Sequence, residues 1–310
     1  MDSAASGSLA TRPPAGRFAP SPTGPLHFGS LVAAVASYAD ARHAQGTWRL
    51  RIDDVDVTRA RDDAGQRIVA TLAELGFRAD GEIVRQTARV ARYDAAFAAL
   101  KRDGAVYPCT CTRASMRDWP IGAAGEPVHP PACQPVRHDA ATARTAWRAR
   151  VDASVVGFED RVQGHVEQVL AREVGDFVVR RSDGLYAYQL AIVVDDADDA
   201  ITDVVRGADL VASTPRQILL QRLLGLPTPR YLHVPVALAP NGDKLSKQTD
   251  ARSIEGGGVA ALMAAWRFLG QLAPADTPPS TAAFWQHALA HWDPARIARV
   301  PALPCPPGYG

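Results

Sequence analysis

The chain has 310 residues, enough for a large core and two or three structural units. Apolar residues make up 47% and charged residues 22%, the balance of a globular protein, and no run of about 18 apolar residues exists to span a membrane. A net charge of +1 excludes nucleic-acid binding through a general basic excess, so RNA contact has to come from local patches.

Residues 1–15, rich in Ala, Ser, Gly and Pro, lack the charged start and apolar stretch of a secretory signal. They are expected to form a disordered leader, and the protein is expected to be cytoplasmic. Arg17-Phe18-Ala19 reads as a short buried strand stopped by Pro20 and Pro22. Residues 29–45 carry Leu31, Val35 and Tyr38 on one helical face and end at Gly46. Trp48, Leu50 and Ile52 alternate as in a half-buried strand. Helices are expected over 60–75, with Ile68, Leu72 and Leu75 inward, and over 88–103 before Gly104. This β-α-β-α order predicts a parallel sheet flanked by helices over 16–104.

Residues 105–184 break the rhythm and are expected to be an insertion. Apolar alternation resumes at Leu185 to Val194, opening the second half of the parallel-sheet domain over 185–240, where a helix is predicted with Thr214 as cap, Pro215 in its first turn and Gly225 past its end. A strand follows at 232–238, then the turn Pro240-Asn241-Gly242-Asp243. Residues 241–310 are expected to hold a lysine loop and helices around 257–269 and 281–291. The run Asp195-Asp196-Ala197-Asp198-Asp199 reads as including a solvated turn rather than a metal site.

Two motifs suit nucleotide chemistry. In Arg17-Phe18-Ala19-Pro20-Ser21-Pro22-Thr23-Gly24-Pro25-Leu26-His27-Phe28-Gly29-Ser30, small residues and free N–H groups precede a helix, as phosphate requires. His27 can donate to phosphate oxygens, and Gly29 permits close approach of a nucleotide. In Lys244-Leu245-Ser246-Lys247-Gln248, two ammonium groups flank a hydroxyl, in a chain whose only other lysine is Lys101. Such a loop suits a phosphate whose charge grows in a transition state. Taken singly, these motifs read equally as a Pro-rich turn and a solvated basic loop. Cys109, Cys111, His129 and Cys133 form a sound tetrahedral zinc set, whose filled positions make it structural, against the alternative of unpaired thiols. Cys305 reads as a free thiol.

Together with Arg51-Ile52-Asp53-Asp54-Val55-Asp56 and Arg59, Tyr186-Ala187-Tyr188-Gln189-Leu190-Ala191, and Val205-Arg206-Gly207-Ala208-Asp209-Leu210, these motifs occur in the order seen in a known family. Over roughly residues 16 to 250 the chain resembles class I aminoacyl-tRNA synthetases of the glutamyl and glutaminyl branch. Within it, the likeness is to glutamyl-queuosine tRNA(Asp) synthetases, which look like a catalytic half without an anticodon-binding domain. The 62 residues after Gln248 are too few for such a domain.

The resemblance implies an α/β fold: a Rossmann-like parallel sheet with a zinc-containing insertion and a short C-terminal helical region. It implies ATP, L-glutamate and queuosine-containing tRNA(Asp) as partners, with Mg2+ accompanying ATP and one structural Zn2+. No membrane or DNA partner is expected, and a monomer is the default. It places glutamate on Arg17, Ser21, Asp53, Tyr188 and Arg206. ATP falls on His27, Gly29, Ser30 and Lys247, and catalysis on His27, Lys244 and Lys247. An arginine fork suits a carboxylate, and Asp53 with Tyr188 suits an ammonium. Outside this context Arg206 reads as pairing with Asp203 or Asp209, and Tyr188 as a core aromatic. Asp53 departs from the family's Glu and reaches roughly 1.5 Å less. His129 departs from the family's Tyr and is the better ligand. A conventional tRNA-charging synthetase and an inactive RNA-binding relative are the alternative readings.

Overall fold

The computed structural model describes residues 13–112, 114–122, 125, 127–130, 145–245 and 253–309. Short apolar strands alternate with helices from the start: β1 (Ala15–Phe18), α1 (Phe28–His43), β2 (Thr47–Ile52), α2 (Asp62–Glu74), β3 (Val84–Arg85) and α3 (Val90–Arg102). The middle of the chain gives β4 (Val106–Cys109), β5 (Ala146–Ala149), β6 (Val155–Asp160), β7 (Gly164–Val169), α4 (Leu170–Glu173) and β8 (Phe177–Arg180). Then come α5 (Tyr188–Asp198), β9 (Asp203–Gly207), α6 (Thr214–Leu224), β10 (Arg230–Val234), β11 (Val236–Leu238), α7 (Gly258–Phe268), α8 (Thr281–His291) and β12 (Ala302–Pro304).

Seven strands form one sheet in the order β3-β2-β1-β9-β10-β6-β7, parallel except for β7 against β6. The fold is therefore α/β with a mainly parallel sheet. The segment expected as an insertion divides in two. Its hairpin β6–β7 extends the large sheet, while β4-β5-β8 make a small antiparallel sheet. Period-two alternation explains the two cores. Phe18, Leu50, Val205 and Leu232 face the cluster beneath α1, α7 and α8. Ala15, Val204 and Tyr231 face the cluster beneath α3, α5 and α6. The same parity puts Arg17, Arg51, Arg206 and His233 on the second face.

Three expectations need correction. Asp195 and Asp196 do not lie in a solvated turn: they are buried on α5, where ion pairs offset the cost of burial. The strand expected at 232–238 is interrupted at Pro235, which lacks an N–H for the ladder; β10 stays in the large sheet and β11 pairs with β12. Thr214 does not cap α6. Ser213 occupies the cap position, and the Thr214 hydroxyl donates to the Leu210 carbonyl at 3.2 Å. Gly225 does end that helix in the left-handed conformation (φ 64°). Among the described residues no helix is long and apolar enough to cross a membrane.

Candidate active site

A cleft of about 620 Å³ opens beyond the carboxyl ends of β1, β9 and β10, where open parallel sheets bind ligands. The N-terminus of α1 points into it through His27, Gly29 and Ser30. His27 caps this helix: its Nδ1 accepts from the Ser30 N–H at 3.4 Å, and its Nε2 lies 3.0 Å from Ser30 Oγ. A Cβ on Gly29 would come within 3.2 Å of the His27 ring, so only glycine leaves that ring undisturbed. The helix end and the imidazole together suit an anionic phosphate chain.

Opposite lies Arg206, at the end of β9 and only 5% exposed. Among the described residues, every group it donates to is neutral. Nε meets His233 Nε2 at 3.0 Å, Nη2 meets Thr214 Oγ1 and Gln217 Oε1 at 2.8 Å each, and Nη1 meets the Tyr188 hydroxyl at 3.4 Å. Its guanidinium also stacks 5.4 Å above the Tyr231 ring centre. Neither Asp203 nor Asp209 pairs with it. Asp203 pairs with Arg161 and Arg230, and Asp209 with Lys244 at the cleft mouth. Tyr188 is not a core residue: it is 36% exposed, begins α5 and lines the cleft. A buried cation whose partners among the described residues are all neutral keeps a charge that one anion could compensate.

Arg17 also lines the cleft, but its Nε and Nη2 fork onto the Asp196 carboxylate at 3.2 Å. Asp196 belongs to a buried ionic network. Arg51 donates to Asp53 at 2.8 Å, to Asp196 at 3.1 Å and to Asp199 at 3.0 Å, while Arg89 pairs with Asp195 and Asp199. Tyr93 and Gln86 add hydrogen bonds to Asp195. The structure thus holds Asp53 on Arg51 and not among the residues lining the cleft. Burial pushes the Asp53 carboxyl up to about 6, with Arg51 opposing. Formally, Arg17, Arg51 and Arg89 face Asp53, Asp195, Asp196 and Asp199, one negative charge in excess. An ammonium on this side of the cleft would meet that excess. Ser21 lines the cleft as well. Lys244 lines it beside Asp209, whereas Ser246, Lys247 and Gln248 fall outside the described residues.

A second cluster lies by the small sheet. Cys109 Sγ, Cys111 Sγ and a His129 ring nitrogen lie within 4.8 Å of one another and could hold a metal ion; Cys133 falls outside the described residues. The donor geometry fits. Cys109 Sγ and His129 Nε2 are 3.3 Å apart, close to the roughly 3.5 Å edge of a tetrahedron with zinc bond lengths. The Tyr107 hydroxyl donates to Asp176 at 2.7 Å, so it accepts from His129 Nδ1 at 3.3 Å. That leaves the Nε2 lone pair facing the thiols, the tautomer a metal needs. Gly175 (φ 70°) permits this contact, because a Cβ there would sit 2.2 Å from the His129 carbonyl oxygen.

Sequence reasoning missed Asp160, His233, Thr214 and Gln217, which surround Arg206, and the partners of Arg51. One signal was available for His233, an ionisable residue inside an apolar strand pattern. None marked Asp160.

A parallel sheet with a helix N-terminus and two buried arginines, Arg17 and Arg206, at one cleft is an α/β arrangement suited to an anionic ligand. A model of the family described as tRNA synthetases class I (E and Q), catalytic domain, matches residues 15–262. A glutamyl-Q tRNA(Asp) synthetase from Aromatoleum aromaticum is 50% identical, covering 94% of this chain and 92% of that protein. One from Burkholderia mallei is 54% identical, covering 90% and 95%. The chain belongs to the glutamyl-Q tRNA(Asp) synthetase family, within the class I synthetases of the glutamate and glutamine branch. Its fold is shared with the glutamate-tRNA synthetase from Elizabethkingia anophelis, at TM-score 0.78 and 21% identity over 94% of this chain and 68% of that one.

Proposed function

We propose that the chain activates L-glutamate with ATP in the absence of tRNA, then transfers the glutamyl group to queuosine at the wobble position of tRNA(Asp). The observation that carries the reading is Arg206, a buried cation with no carboxylate partner among the described residues, in one cleft with a helix N-terminus that suits phosphates. The names of the relatives supply the acceptor. An oxygen of the glutamate α-carboxylate attacks the α-phosphorus of ATP, the bond to the β-phosphate bridge breaks, and pyrophosphate leaves. A nucleophile of queuosine then attacks the acyl carbon and AMP departs. Arg206 takes the substrate's side-chain carboxylate, with Tyr188 beside it. The ammonium lies towards the excess negative charge behind Arg17. His27, Lys244 and Lys247 stabilise charge on the phosphates, where positioning and electrostatics carry the chemistry. Mg2+ comes with ATP, held mainly by its phosphates.

The same reading gives one structural zinc to Cys109, Cys111, His129 and Cys133, which ties the segment around 105–184 together, and places the enzyme in the cytoplasm with its tRNA. Metal analysis of the purified protein is expected to find about one zinc per chain; none would refute the assignment. For the activity, labelled glutamate and ATP are supplied with two tRNA pools, one containing queuosine and one lacking it. Label on the queuosine-containing pool alone is expected. Equal label on both would make the enzyme a conventional 3′-charging synthetase. Label on neither, without glutamate-dependent ATP turnover, would indicate an inactive relative.

A further inference from the structure

Arg206 takes its orientation from two residues that line no part of the cleft. His233 on β10 is the register partner of Arg206 on β9, and Asp160 ends β6 on the far side of β10. A guanidinium has only donors, so His233 Nε2, 3.0 Å from Arg206 Nε, must present its lone pair. The proton then sits on Nδ1 and is donated to Asp160 Oδ2 at 2.6 Å. The other oxygen, Asp160 Oδ1, accepts the backbone N–H groups of Val162, Gln163 and His233 at 3.0, 2.8 and 3.2 Å. His233 and Asp160 are both buried, so neither exchanges these bonds for water.

We infer that Asp160 and His233 are positioning residues for substrate recognition: through a neutral imidazole they fix the Arg206 guanidinium while leaving its charge for the substrate's side-chain carboxylate. The inference rests on the reading of Arg206 as receptor for that carboxylate. A carboxylate touching Arg206 directly would neutralise it and make the cleft indifferent to glutamate or glutamine. One imidazole of separation keeps the direction of the hydrogen bond without cancelling the charge. Thr214 and Gln217 occupy Nη2, so Nη1 is the edge left towards Tyr188 and the cleft. An amide ligand leaves this buried charge uncompensated, which is the basis of discrimination.

Asp160→Asn is the sharpest test. The carbonyl oxygen of the substituted side chain has to take the three backbone N–H groups, so its amide nitrogen faces His233 Nδ1. That forces the proton to Nε2, where it confronts the Arg206 Nε–H. In glutamate-dependent exchange of pyrophosphate into ATP, KM for glutamate is expected to rise about 10- to 100-fold, the loss of one charge-assisted hydrogen bond. KM for ATP should stay unchanged, and the preference for glutamate over glutamine should fall about tenfold or more. His233→Leu should act in the same direction, and should add nothing to glutamate binding once Arg206→Ala is present. Unchanged glutamate KM and unchanged preference in folded variants would overturn the relay. Should both variants misfold, imidazole 15N shifts of His233 in the substrate-free wild-type protein decide. Protonation at Nδ1, with an Nε2 resonance that moves in Arg206→Ala, supports the relay; protonation at Nε2 overturns it. Wild-type protein that fails to turn over ATP with glutamate defeats the proposed function, and the 15N shifts still judge the relay.

Discussion

Arg51 and Arg206 are nearly equally buried, at 1% and 5% exposure, on the same face of the same sheet. Their surroundings are opposite. Arg51 sits among four carboxylates, whereas Arg206 is held by an imidazole, a hydroxyl, an amide and a phenol. Burying a guanidinium costs several kcal/mol unless charge and hydrogen bonds offset it. Around Arg51 the protein supplies both, and the result is a strut joining β2 to α5. Around Arg206 the described residues supply hydrogen bonds but withhold the charge, and in the proposed function the result is a receptor. Solvent exposure does not separate these two arginines; the charge of their partners does. Arg17 stands between the two, lining the cleft while its fork is already taken by Asp196.

The contrast breaks most directly at Arg51. Arg51→Met leaves Asp53, Asp195, Asp196 and Asp199 facing one another without their main cation, which should cost about 3–5 kcal/mol of stability. Thermal melting should fall by about 10 °C or fail to show a folded protein; a wild-type melting temperature would mean that the carboxylates are held some other way. Arg206→Ala should do the reverse. Stability changes little because no buried carboxylate is orphaned, but kcat/KM for glutamate in pyrophosphate exchange should drop by about 10²–10³-fold. Near-normal activation would remove Arg206 from the site and end the comparison.

A smaller effect separates the two regions by pH. Burial lowers the His233 pKa from 6.5 to about 4, with Asp160 opposing. The unfolded chain therefore binds the extra proton, and this group adds stability as pH rises from about 4 to 6.5. Asp53 runs the other way. With its carboxyl raised from 3.8 to about 6, the folded protein binds the extra proton, and stability from this group falls as pH rises over that window. Replacing Asp53 with Asn removes the falling contribution alone. Melting temperature should then climb more steeply between pH 4 and 6 than in the wild type, and parallel profiles would show that Asp53 titrates normally.

Much of this protein was legible before its structure. Hydrophobic period and Gly or Pro punctuation are local properties, so the β-α-β start and the stop at Gly225 followed from the residues themselves, while β4 to β9 did not. The motif at His27 was legible as a helix start because it lies within one helix end, whereas the motif at Lys244 was legible only as residue types, with Ser246, Lys247 and Gln248 outside the described residues. The cysteine pair and His129 were legible as donors by type, although what fixes the His129 tautomer, Tyr107 with Asp176, was not. What the tertiary structure alone decided is which charge meets which. Arg17 and Asp196 are 179 positions apart, Arg51 and Asp195 are separated by most of the catalytic fold, and Asp160 reaches His233 across 73 positions. Local pattern left Asp195 and Asp196 looking like solvated residues and Arg206 like one half of a salt bridge. Strand register reversed both readings, because whether a buried charge is neutralised depends on contacts a few ångströms long between segments that sequence spacing does not relate.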